Sequence, residues 1–333
     1  MNFMPFFVLH LLTLFAVYQN PFEISFEDKK ELSHADVTEI QDLLRKKDAT
    51  KILKELYTQK MGVFDELRPF REFEGRINRC LKQVLIDPQK GLFPEVELVK
   101  INEGGTHCFV VSAPLGPKYP QLLKSLIEGL KEIGFNGYLY YRIGGVPNPT
   151  GREAKWAGVP YSFKIFMMME AHNRGFTKLV WLDSALFPFK NPSALFERLE
   201  NEGSFVLHRT HPKSSILPCT LASIENLTHV DLTQAPHVRM WIFGLDTSAD
   251  WVKSFFFDYT EMVRLGVPFF SCYPEEYVLS ALVKKYEKYF PSLRDPQLVP
   301  KFGYGKIVKT HDGDCENFWR ARKEGYMFVV REH

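Results

Sequence analysis

From residue 107 onward the chain alternates between short apolar runs and longer amphipathic stretches. Cys108-Phe109-Val110-Val111-Ser112 is a continuous apolar run, the pattern of a strand buried on both faces. Pro114-Leu115-Gly116-Pro117 makes a loop, and Tyr119 to Ile133 predicts a helix closed by Gly134. Gly137 to Tyr141 predicts a second strand. Turn residues then crowd positions 143–160: Gly144-Gly145, Pro147, Pro149, Gly151 and Gly158-Val159-Pro160. A helix is predicted over Tyr161 to Arg174, with Gly175 just past its end. Lys178-Leu179-Val180-Trp181-Leu182 predicts a third strand, ending at Asp183. Strand-helix-strand-helix-strand at these spacings predicts a parallel, doubly wound sheet.

The preceding residues have another texture. Between 24 and 100 the first glycine is Gly62, and the apolar positions recur at helical spacing. Asp36 to Lys47, Ala49 to Tyr57 and Phe73 to Ile86 predict amphipathic helices with charges of both signs on their outer faces. This divides the chain into a helical N-terminal region over 21–100 and an α/β domain over 101–333. Ahead of both, Phe3 to Val17 is almost wholly apolar, interrupted by Pro5, His10 and Thr13. A spanning helix needs about 20 apolar residues, so this run suits a signal peptide or a short membrane anchor over 1–20. The expectation is membrane association through residues 3–17 and a place in the secretory pathway, a Golgi-like lumen in a eukaryotic cell. The first basic residue is Lys29, so flanking charge sets no orientation. Asn226-Leu227-Thr228 is a usable glycosylation sequon; those at Asn148 and Asn191 are blocked by proline.

Composition removes several classes. A hydrophobic fraction of 45% and a charged fraction of 25% exclude a disordered, collagenous or coiled-coil chain. The 42 basic residues are balanced by 40 acidic ones and form no basic block, so no nucleic-acid partner is expected. The five cysteines are far apart in sequence, which excludes zinc knuckles, CxxC redox pairs and a disulfide scaffold; buried free thiols are expected, with room for one or two bridges. No GxGxxG follows the first strand and no GxxxxGK[ST] occurs, so dinucleotide and P-loop readings lose their support.

Ligands of open α/β sheets lie beyond the carboxyl ends of the strands. Those ends deliver Ser112, Tyr141-Arg142 and Asp183-Ser184-Ala185. A carboxylate ending a buried strand needs a polar partner, either the turn that follows or a ligand. Tyr161, Lys164 and Met168 share a face of the predicted helix, from which Lys164 meets a ligand or snorkels to solvent. Arg152 and Lys155, in the loop before it, are further cations, for a ligand or simply for solvent. Glu275 and Glu276 follow Pro274, acids at a helix start that the macrodipole favours.

The segment Val159 to Pro192, VPYSFKIFMMMEAHNRGFTKLVWLDSALFPFKNP, resembles the central segment of GT-A-fold, nucleotide-sugar-dependent glycosyltransferases. In that family a helix with a basic residue leads to an apolar strand ending in an Asp-x-Asp motif. The resemblance continues in order through Ser204 to Arg209, Trp241 to Asp246 and Glu275 to Ser280, and covers roughly residues 106–315. It implies an α/β, GT-A-like mixed and mostly parallel sheet flanked by helices, after an α-helical N-terminal region. It further implies a hexosyltransferase that moves a sugar from a nucleotide-diphosphate sugar to a glycan, protein or lipid acceptor, with Mn²⁺ or Mg²⁺ on Asp183. Ser112, Arg142, Arg152, Lys155, Tyr161, Lys164 and Ser184 would then hold the donor, Glu275 or Glu276 would act at the reacting sugars, and His311 would be a second metal ligand. Ala185 departs from the motif and removes one carboxylate. Two other readings stand beside this one: a sugar-nucleotide or glycan binder without transfer, and a secreted interaction protein working through residues 24–100.

Overall fold

The computed structural model describes residues 95–114, 118–144, 147, 149, 159, 161–209, 216, 218–269, 271, 273–290, 292–293, 319–320, 322–325 and 327–330. The apolar N-terminal run, the predicted N-terminal helices, Arg152, Lys155 and His311 lie outside them. Among the described residues no helix is long and apolar enough to cross a membrane.

The order of elements is β1 (Glu95–Ile101), β2 (His107–Ala113), α1 (Lys118–Glu132), β3 (Gly137–Ile143), α2 (Phe163–Asn173), β4 (Lys178–Leu182), β5 (Leu186–Pro188) and α3 (Ser193–Glu202). There follow β6 (Ser204–Arg209), α4 (Pro218–Thr228), β7 (His237–Asp246), α5 (Asp250–Leu265), α6 (Pro274–Lys285), β8 (Ser292–Leu293) and β9 (Phe328–Val330). One sheet runs β1-β3-β2-β4-β7-β6-β8, and β5 pairs with β9 in a separate ribbon. Strands β2, β3, β4, β6 and β8 point one way, while β1 and β7 are antiparallel to their neighbours. The fold is mixed α/β, with a mostly parallel sheet between helices.

Strands β2, β3 and β4 and helices α1 and α2 fall where the apolar runs predict them. Two features differ. Strand β1 begins at Glu95, inside the stretch expected to be helical. Its Glu-Val-Glu-Leu-Val-Lys-Ile pattern puts exposed charge on both sides, Glu95 and Glu97 on one and Lys100 on the other, which suits the edge strand of a sheet. The doubly wound parallel pattern is also interrupted, because β7 inserts antiparallel between β4 and β6.

Alternation along the central strands divides the core into two layers. On one face Cys108, Val110, Leu179, Trp181 and Met240 pack with α2, α5 and α6. On the other, Phe109, Val111, Val180, Leu182 and Ile242 pack with residues of α1 and α3. Helix α2 is apolar nearly all round, and every residue from Lys164 to Met169 is buried, because it runs between the sheet and α5.

The turn into β3 requires glycine. A Cβ on Gly137 would lie 2.8 Å from the His107 carbonyl oxygen and 2.5 Å from the Phe135 ring. Backbone cannot yield as a flexible side chain does, so Gly137→Ala is expected to cost about 1–3 kcal/mol. The urea midpoint reads that loss directly.

Cys108 is a buried free thiol, as expected. Burial pushes its pKa from 9.0 up to about 12. The thiol therefore ionises first in the unfolded chain, and stability falls as pH climbs through that window, with a slope of at most about 1.4 kcal/mol per pH unit. Urea midpoints measured upward from pH 9 should decline, and Cys108→Ala should make the decline shallower.

Candidate functional site

The carboxyl ends of β2, β3 and β4 lie along one edge of the sheet. The antiparallel β7 brings its first residues to the same edge, and its contact with β6 is irregular there. Val206 faces Phe243, but the next residue, Leu207, faces Arg239. Met240, Trp241 and Ile242 are skipped by β6, and two of their carbonyls serve side chains or loops near Asp183. Trp241 O accepts from Asp183 N at 2.9 Å. Met240 O accepts from Trp181 Nε1 at 3.1 Å and from Lys164 Nζ at 3.3 Å.

Lys164 sits in the first turn of α2 and is 6% exposed, so it does not snorkel. Its ammonium pairs with Glu275 Oε1 at 2.6 Å and lies 5.4 Å from the Tyr161 ring centroid and 5.8 Å from that of Trp181. Burial alone would lower its pKa. The carboxylates of Glu275 and Asp183, the hydrogen bond to Glu275 and the charge of Glu276 outweigh burial and raise it. An ammonium has three N–H groups, and two of these have acceptors here. Tyr161 precedes the helix at φ +62°, a left-handed conformation that a bulky residue adopts at a cost of about 1–3 kcal/mol. It is therefore not on the helical face with Met168, yet its ring still meets Lys164.

Asp183 is half-buried. Its Oδ1 accepts from Ala185 N at 3.2 Å, the turn-capping contact that the sequence left open. Oδ2 has no hydrogen bond among the described residues. Ser184 is 3% exposed, and Ala185 packs against the core layer on the α1–α3 face.

Glu275 and Glu276 open α6, behind Pro274, and are 5% and 6% exposed. Each has a different cationic or protonatable partner. Glu275 holds Lys164; Glu276 Oε2 lies 3.1 Å from His237 Nε2. Ser280 ties the same helix to β7, accepting from Val238 N at 3.0 Å and donating to Glu276 O at 2.6 Å. His237 is stacked on Tyr277, with ring centroids 5.2 Å apart. His237, Trp181 and the Met240 carbonyl were not anticipated. A lone histidine before the apolar half of β7 carries no pattern, and the carbonyl is left outside the β6 ladder by the register shift.

Ser112 and Arg142 are register partners on β2 and β3. Arg142 is 7% exposed and pairs with Glu170 of α2 at 3.2 Å, where Glu170 also accepts from Tyr140 Oη at 2.7 Å. The structure thus gathers Asp183, Lys164, Glu275 and Tyr161 around one point. It ties Glu276 to His237 beside them and commits Arg142 to Glu170.

A divalent ion takes hard oxygen ligands. Among the described residues no group of three or more His, Cys, Asp or Glu is placed to hold one. Asp183 Oδ2 fits as a single hard ligand, with the rest of the shell left to ligand phosphates and water.

No protein-family model matches the chain, and no curated protein does. A crystal structure of mouse xyloside xylosyltransferase 1, apo form, is similar over 65% of this chain and 70% of that one, at 12% identity and a TM-score of 0.29. A likeness of that size lends no weight to the site, whose reading rests on its own geometry.

Proposed function

We propose that the chain is a glycosyltransferase that takes a sugar from a nucleotide-diphosphate donor to a glycan, protein or lipid acceptor. The observation that carries the reading is Asp183: a carboxylate at the carboxyl end of β4, with Oδ2 unengaged among the described residues, electrostatically coupled to the buried Lys164–Glu275 pair. Glycosyl transfer expels a nucleoside diphosphate, so negative charge grows on phosphate while positive charge grows at the anomeric carbon. Mn²⁺ or Mg²⁺ held through Asp183, with His311 as a second ligand, would stabilise the departing phosphates.

The chain's own residues then take distinct parts. Lys164 offers its third N–H to a donor phosphate or sugar hydroxyl, while Glu275 keeps its charge compensated in a buried site. Tyr161 gives the donor an aromatic wall. Glu276, next to His237, is the carboxylate set to take the acceptor hydroxyl proton or to stabilise the sugar cation. Ser112 and Ser184 line the same edge, and Arg152 and Lys155 add charge for phosphate.

A second reading, donor binding without transfer, is favoured by the commitment of both glutamates to partners. Thermal shift against a panel of nucleotide-diphosphate sugars, with and without Mn²⁺, tests binding first. At a hundredfold excess over Kd, ligand adds about 2.7 kcal/mol of stability. A donor that shifts the transition yet is neither transferred nor hydrolysed selects the binder; no shift with any donor removes both readings.

A further inference from the structure

We infer that Trp319, Arg320, Arg322, Lys323 and Lys190 form a docking surface for an anionic lipid membrane. The inference is independent of the glycosyltransferase reading. Large apolar side chains are exposed at three described positions, and of these Trp319, 55% exposed, stands within a run of exposed cations. The Arg322 guanidinium carbon lies 5.3 Å from the Trp319 ring centroid. Arg320 and Lys323 are exposed on the same short helical segment. The one described carboxylate beside them, Glu324, meets Arg320 only at 4.0 Å, with both side chains half exposed.

Within the segment Glu324 N bonds to Arg320 O at 2.8 Å and Gly325 N to Arg322 O at 3.2 Å, which closes it as a helical turn. Gly325 adopts φ +83°, and a Cβ built there would lie 3.0 Å from Lys190 Nζ, so the ammonium of Lys190 joins the same surface. Just beyond, Phe189 N bonds to Met327 O at 2.8 Å, and β9 pairs with β5. The cations and the indole are therefore carried on a helical turn that leads directly into the β5–β9 ribbon.

Three physical facts select a membrane as the occupant. Indole rings settle at the headgroup level, where one edge is apolar and the other wet. Each Lys or Arg near an anionic leaflet contributes about fivefold in affinity. A single acyl chain binds membranes marginally, and stable attachment takes a second contribution such as a basic patch. The apolar run from Phe3 to Val17 would be one contribution here and these cations the second.

The test is co-sedimentation of the full chain with phosphatidylcholine vesicles, with and without phosphatidylserine, at low and high salt. Phosphatidylserine should strengthen binding, and salt should weaken that increment. The triple variant Arg320→Gln, Arg322→Gln, Lys323→Gln should lose about a hundredfold of the phosphatidylserine-dependent affinity. Brominated lipids should quench indole fluorescence in the full chain and less in Trp319→Phe. All these residues are exposed, and an unchanged circular dichroism spectrum confirms that the variants fold. Equal binding to both vesicle types, or a triple variant that binds phosphatidylserine vesicles like the parent, overturns the inference. So does binding to acidic proteins with no preference for phosphatidylserine.

Discussion

Asp183→Asn is expected to weaken nucleotide-sugar binding in Mn²⁺ by about 10- to 100-fold or more, the range seen even when a group supporting a metal ligand is lost. Asn keeps the shape of the side chain, and its amide oxygen can still accept from Ala185 N, the contact that fixes the turn after β4. The fold should therefore survive, with an unchanged thermal transition in the absence of ligand. What disappears is the charge. Calorimetry with donor and Mn²⁺ on both proteins separates the two effects. Equal affinities would remove Asp183 from the site; loss of both binding and fold would make it a structural cap.

Lys164→Met should be the most destabilising single change in the site. It leaves Glu275 buried, 5% exposed, with no cation bonded to it among the described residues, and Asp183 and Glu276 nearby. Breaking a buried pair from one side costs about 3–5 kcal/mol, because the remaining charge is uncompensated. The Met240 carbonyl keeps the Trp181 indole as donor, so the loss is mainly electrostatic. The double change Lys164→Met, Glu275→Leu should recover much of the stability, since apolar side chains of similar volume replace such pairs at little cost. Urea unfolding of the three proteins decides it. A single variant within about 1 kcal/mol of the parent would mean that the pair is far more solvated than its geometry implies. The pH dependence has a fixed sign. The raised pKa of Lys164 gives stability that is complete below the ordinary lysine value, about 10.4, and is lost as pH rises beyond it.

Much of the sheet was legible because its central strands are buried on both faces. Phe109, Val110 and Val111, and Leu179 to Leu182, leave no polar position to confuse the period, and Gly134 and Gly175 mark where α1 and α2 stop. Strand β1 was not legible, since an edge strand carries charge and mimics a helix face. The direction of β7 was not legible either, because strand orientation is decided by distant pairing. The site divides in the same way. Asp183 stands out in the sequence as a carboxylate ending an apolar run. The Lys164–Glu275 pair joins positions 111 apart, and no local pattern specifies it. His237 reaches Glu276 only because β7 runs antiparallel and α6 packs on it.

The central claim is that this edge of the sheet binds a sugar nucleotide and transfers its sugar. Its most direct test is release of nucleoside diphosphate by the full chain from a panel of donor sugars in Mn²⁺, with Asp183→Asn as the control. The account predicts release from at least one donor in the parent and a drop of about tenfold or more in the variant. Release that is unaffected by Asp183→Asn, or no binding of any donor, would contradict it.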